Sequence, residues 1–315
     1  MSADTIQTPS RLLLFWRHPL TRMFARIVLF ALFAFALGAA MRLLIPMKPL
    51  ESPADQLAVS GIEPWLRAIR SLLPIGLAYW LLVRWIERRR VTELAPRKLP
   101  LHAVTGWAVG TAIMLVAAGA MALSGVLDVR GVNHGISLLT PLVVLGIGPG
   151  IGEEIIARGI LFRVVEEAMG TWFALALSAA VFGLAHYGNP NATAWSSIAI
   201  AIEAGLLLGM AYAWTRSLWF CMALHAAWNF TQGPLLGIPV SGIELRGLLD
   251  SSTQGNALLS GGAFGAEASI LTVIICVTVA ALFTQQAFKR KRIVAPFWVR
   301  RRTPGGLDAI PERTG

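Results

Sequence analysis

The residues best placed to do chemistry fall into three short motifs separated by apolar stretches. The first is Gly148-Pro149-Gly150-Ile151-Gly152-Glu153-Glu154-Ile155-Ile156-Ala157-Arg158, the second Phe182-Gly183-Leu184-Ala185-His186, and the third His225-Ala226-Ala227-Trp228-Asn229. Glu154 and Arg158 are four residues apart and share a helix face, a spacing suited to an ion pair. Glu153 then lies about 100° around the helix and is left without that partner. His225 and Asn229, also four apart, face one direction and can converge on one cavity. A glutamate can act as general base toward a water, a histidine can orient that water or donate a proton, and an asparagine amide can hydrogen-bond a developing oxyanion. The same Glu153, His186 and His225 could instead hold a divalent metal such as zinc, which accepts such ligands with one position left for water. Residue types and spacing leave both mechanisms open.

The motifs sit in a chain that cannot cover itself with a polar surface. Of its 315 residues, 56% are hydrophobic and 14% charged, where a soluble domain carries roughly 25% charged residues. Apolar runs recur from the first fifty residues to the last fifty, so no separate soluble domain is expected. About eight of them are long enough to cross a bilayer at about 20 residues each. The expected fold is therefore an all-α polytopic membrane protein, with about eight transmembrane helices around an intramembrane catalytic cavity. An ionisable side chain at bilayer depth costs roughly 2.5 to 3.5 kcal/mol even on the mild insertion scale, so each needs a partner or a purpose. Pro149 and its glycine neighbours break the fourth run just before the glutamates, where water can enter.

The formal net charge of +10 would suit a nucleic-acid partner, but the basic residues lie in clusters between apolar runs, which reads as membrane topology. Arg11, Arg17, Arg22 and Arg26 precede the first run (residues 27–45), and Glu51, Asp55 and Glu63 follow it. The second run (71–86) ends in Glu87-Arg88-Arg89-Arg90 and Arg97-Lys98. The last (268–288) ends in Lys289-Arg290-Lys291-Arg292, with Arg300-Arg301-Arg302 soon after. The remaining runs are expected at 101–123, from about 138 toward Arg158, and at 171–187, 198–214 and 218–231. A cytoplasmic basic N-terminal segment (1–26), a transmembrane domain (27–288) with its catalytic core at about 138–230, and a basic cytoplasmic tail (289–315) are expected, with the protein in a bacterial inner membrane and both termini cytoplasmic. The first run ends near Gly38-Ala39-Ala40, slightly like a signal-peptide site, but Arg42 follows and an uncleaved anchor is the expectation. A glycine-rich loop of about thirty residues precedes the last run. The pairs Gly146 and Gly150, Gly148 and Gly152, and Gly205 and Gly209 would let helix backbones approach closely. Cys221 and Cys276 fall in apolar runs, which excludes a disulfide framework or a CxxC metal knuckle.

The three motifs, each on its own membrane helix and in this order, resemble those of the CAAX protease and bacteriocin-processing (CPBP, or Abi) family of intramembrane proteases. Arg158-Gly159 and Gly205-Leu206-Leu207-Leu208-Gly209 extend the likeness, which covers roughly residues 138–230. The resemblance implies an intramembrane endopeptidase, glutamate-type or metallo-type, that hydrolyses a peptide bond of a membrane-associated protein or peptide. It implies Glu153, Glu154, His186, His225 and Asn229 as catalytic residues. Glu153 would activate the water with His186, while His225 and Asn229 would stabilise the oxyanion or help ligate a metal. Arg158, Phe182 and Glu203 would support the site. The implied partners are the lipid bilayer and a peptide substrate, prenylated or of the leader and bacteriocin kind. Two positions depart from the pattern: Ala157 stands where many members carry Phe, which would reshape the cavity wall, and Glu203 is an additional buried acid.

Other readings compete. A proton-coupled transporter would also place Glu, Arg and His in broken helices, but no inverted repeat pairs two of them. No histidine is followed by Glu in a His-Glu-x-x-His motif. Ser124-Gly125, Ser241-Gly242 and Ser260-Gly261 lie in or near loops rather than in spans. A membrane scaffold or immunity protein that keeps the fold without catalysis is the remaining alternative.

Overall fold

The computed structural model describes residues 15–52 and 55–300; Arg11 and the tail beyond Arg300 lie outside them. Among the described residues, seven helices are long and apolar enough to cross a membrane. They are α1 (Pro19–Leu44), α2 (Glu63–Ile86), α3 (Pro96–Leu123), α4 (Leu139–Met169), α5 (Thr171–Gly188), α6 (Ala194–Thr215) and, after the shorter α7, α8 (Ile270–Lys289). The expected eighth run is α7 (Leu218–Phe230), only 13 residues long. A wider five-residue turn, Thr231–Leu235, extends it. It is buried along nearly its whole length. Enclosed by neighbours, α7 has no lipid thickness to match.

The helices run alternately up and down, as side-chain contacts between their ends show. Arg26 near the start of α1 pairs with Glu87 just past α2 at 3.6 Å. Arg163 near the end of α4 donates to both oxygens of Glu87 at 2.9 Å. Arg216, between α6 and α7, pairs with Glu166 and donates to the Arg292 carbonyl beyond α8 at 2.6 Å. The basic clusters are thereby gathered at one end of the bundle. Burial pushes the Glu87 carboxyl up, but Arg163, Arg89 and Arg26 outweigh it and hold the group below the usual carboxylate range. Glu93, bonded by Arg89 at 2.7 Å and by the Tyr79 hydroxyl, is likewise held low against its burial.

Small residues bring α4 to α7 together. A Cβ on Gly150 would lie 2.9 Å from the Ala226 Cβ and the Met222 carbonyl on α7, and one on Gly205 would lie 2.6 Å from the Ala179 Cα on α5. A Cβ on Gly148 would meet only the Val143 carbonyl of its own helix, whereas Gly146, Gly152 and Gly209 likewise face neighbouring helices closely, as expected. Gly106 and Gly110 on α3 do the same against the α7 backbone at Phe220 and Leu224, a contact that no motif announced.

At the opposite end, the loop before α8 has more structure than its composition suggested. Its strand β2 (Leu249–Thr253) pairs antiparallel with β1 (Leu127–Val132) after α3, with an irregularity between Val129 and Gly131. Capping fixes the helix starts there: Thr193 and Ser196 form a reciprocal capping box for α6, and Ser269 caps α8.

Candidate active site

Pro149 has no backbone N–H, so the Leu145 carbonyl four residues earlier loses its α-helical donor. The helix accommodates this with a wide turn over Leu142–Ile147, and Asn229 Nδ2 on α7 donates to the Leu145 carbonyl at 2.9 Å. The break that opens α4 is thus sealed by a side chain from the third motif. A second wide turn, Ile155–Phe162, follows the glutamates, and a third, Ala201–Leu206, lies opposite on α6. Such turns leave carbonyls available to side chains. Arg158, fully buried, donates to the carbonyls of Ala204 and Gly205.

A cavity of about 190 Å³ opens among these irregularities. Pro149, Glu153, His186, Glu203, His225 and Asn229 line it, together with apolar residues of α4 to α7. The Glu153 side chain is 37% exposed, whereas Glu154 is wholly buried and does not reach the cavity. Only Glu153 can meet a water. Its Oε2 stands 3.9 Å from His186 Nε2, too long for a direct hydrogen bond and short enough for one water to touch both. His186 Nδ1 lies 2.8 Å from the Phe182 carbonyl. A carbonyl only accepts, so Nδ1 carries the proton and Nε2 offers its lone pair to the cavity.

Glu154 orients His225. Its Oε1 takes Arg158 Nη1 at 2.8 Å and His225 Nδ1 at 2.9 Å. The pair expected to neutralise itself therefore also fixes a histidine of the third motif, across 71 residues of sequence. Phe182 sits within this group, its ring 4.7 Å from His186 and 4.9 Å from the Arg158 guanidinium carbon. Ala157 packs behind the cavity in a cluster with Phe182, Ile200 and Phe264, so its departure from the family pattern falls off the cavity wall, contrary to expectation.

The loop before α8 roofs the cavity with Val240, Ser241, Ile243 and Glu267. Ser241 donates its backbone N–H to Glu267 Oε2 at 2.6 Å and its hydroxyl to the same carboxylate at 3.2 Å. Trp195 Nε1 pins the segment by donating to the Ala268 carbonyl at 2.8 Å. Gly242 and Gly265 hold positive φ angles of 83° and 114°, and a Cβ on either would strike the carbonyl of Pro190 or Pro239. Sequence reasoning missed Ser241 and Glu267 because it treated their segment as a connector. The one signal was an acid in the otherwise small and apolar stretch that leads into the last span.

Among the described residues no three His, Cys, Asp or Glu side chains are gathered closely enough to hold an ion.

Residues 135–231 match the family model described as type II CAAX prenyl endopeptidase Rce1-like. The match covers about a third of the chain and takes in all three motifs. Glu267 and the cavity roof lie outside it. No curated protein matches the chain.

Proposed function

We propose that the protein is an intramembrane endopeptidase that hydrolyses a peptide bond of a membrane-associated protein or peptide with a water activated by Glu153 and His186. The observation that carries this reading is the approach of the partly exposed Glu153 side chain to His186, with Oε2 3.9 Å from Nε2. The water gives a proton to Glu153, and the resulting hydroxide adds to the scissile carbonyl carbon. The oxyanion forms beside Asn229, whose second amide N–H is not needed by Leu145, and beside His225, which can donate from Nε2 while Glu154 supports the positive charge at Nδ1. Glu153 then returns the proton to the leaving nitrogen as the C–N bond breaks. No step requires a metal. Apolar walls supplied by Leu145, Leu207 and Leu224 suit a substrate segment that partitions into the bilayer. The family description names prenyl endopeptidases, but a prenyl group is not needed for this chemistry.

The test is incubation of purified protein with candidate peptides, followed by mass spectrometry of the products. Glu153→Gln keeps the volume and removes proton acceptance, so it should fold normally and turn over roughly 10² to 10⁴ times more slowly. Wild-type activity should survive chelator treatment. Near wild-type cleavage by Glu153→Gln would remove the assignment and favour the transporter or scaffold readings.

A further inference from the structure

Three carboxylates line the cavity, Glu153, Glu203 and Glu267, and no lysine or arginine does. Arg158 stands behind the wall, occupied by Glu154 and by backbone carbonyls. The water-activating chemistry uses one of the three and leaves two. Glu203 is 1% exposed, and neither of its carboxylate oxygens has a hydrogen-bond partner. Two buried, unpartnered acceptors within a membrane helix are costly, and such groups mark the path or the site of a ligand. Glu267, 5% exposed, lies close enough for its charge to act on Glu203. It also acts on His186 and His225.

The Glu267 carboxylate is a built feature. Ser241, which supplies two of its hydrogen bonds, holds φ at 48°, a left-handed conformation that is strained for a non-glycine residue. Burial pushes the Glu267 carboxyl up, and the Ser241 N–H, His186, the Ser241 hydroxyl and His225 offset only part of that rise. No lysine or arginine lines the cavity beside this pair of acids, and the two histidines are the only basic side chains among its lining residues.

We propose that Glu203 and Glu267 form a second, acidic wall of the cavity that receives a basic side chain of the peptide substrate, a lysine or arginine near the bond to be cut. This rests on the endopeptidase reading and adds to it a substrate class. The cation satisfies the free oxygens of Glu203 and offsets the charge of Glu267, and the apolar lining takes the flanking residues. Because Glu267 lies beyond the matched segment, the preference belongs to this chain and is not implied by the family match.

The test is a binding measurement, so that it does not depend on cleavage. The probes are acetylated, amidated leucine–alanine decapeptides that carry one lysine at successive positions, each beside its norleucine counterpart. They are titrated onto detergent-solubilised Glu153→Gln protein, alone and with Glu203→Gln or Glu267→Gln added. In at least one register the lysine peptide should bind roughly tenfold or more tightly than its norleucine twin. Either added substitution should erase most of that preference while leaving the norleucine affinity unchanged. Glu203→Gln removes a carboxylate that has no partner to lose, and Glu267→Gln provides an independent arm should one variant fail to fold. Equal binding of both peptides in every register, or a preference that survives both substitutions, overturns the proposal. If Glu153→Gln cleaves the peptides, the endopeptidase mechanism falls while the cation preference is still read from affinity.

Discussion

His225 Nδ1 lies 2.9 Å from Glu154 Oε1, the same oxygen that takes Arg158 Nη1 at 2.8 Å. One buried carboxylate, paired with Arg158, therefore joins the first motif to the third in a position that water does not reach. In the reaction proposed above, Glu154 acts through His225, as a positioning residue.

Arg158→Ala leaves the Glu154 carboxylate buried with His225 alone and frees the carbonyls of Ala204 and Gly205. Breaking a buried pair in this way costs about 3 to 5 kcal/mol, so the variant should melt lower and yield less folded protein. Glu154→Gln keeps a hydrogen bond to Nδ1 but not the charge, and it should lose turnover more than stability. Thermal melts and cleavage rates measured side by side check both. Arg158→Ala protein that remains fully stable while inactive would count against the ion pair as the main role.

Asn229 holds two roles that can be separated. Its bond to the Leu145 carbonyl repairs the gap made by Pro149, so Asn229→Ala should destabilise by about 1 to 3 kcal/mol. If its second N–H also serves the oxyanion, the barrier should rise by about 2.7 to 4 kcal/mol. Combining Asn229→Ala with His225→Ala should cost less than the sum, since both groups meet one transition state. Full additivity would place Asn229 outside the reaction.

The acids at the basic end make stability depend on pH. Glu87 and Glu93 are held below the usual carboxylate range when folded. Their contribution is therefore present above the unfolded value of about 4.3 and is lost as pH falls through the folded values. Glu87→Gln should melt well below wild type at neutral pH, with the gap narrowing as pH falls below about 4. Scanning fluorimetry in detergent across that range checks this. A gap that stays constant would show that Glu87 acts through packing alone.

The gathered basic clusters predict orientation. We expect the end that holds Arg26, Arg89, Arg163 and Lys289 to face the cytoplasm, and the cavity roof around Ser241 to face the other side. Reporter fusions after Pro100 and after Phe297 should read cytoplasmic, and one after Pro190 should not. If α7 did not complete a crossing, the fusions after Pro100 and Phe297 would give opposite signals.

The membrane class and helix positions were legible because lipid imposes a length and an apolarity that any reader can count. The Glu153, His186, His225 and Asn229 set stood out for a related reason, since polar groups are rare where they are costly. Spacing within one helix also announced the Glu154 and Arg158 pair. What neighbours i and i+4 cannot encode is contact between helices. That Glu154 reaches His225, that Asn229 repairs the break at Pro149, and that α7 is enclosed rather than lipid-facing were decided by tertiary packing alone. The same holds for Glu267. Its sequence neighbourhood is a connector, and it enters the cavity only because Gly242 and Gly265 accept positive φ and Trp195 pins the returning backbone against α6.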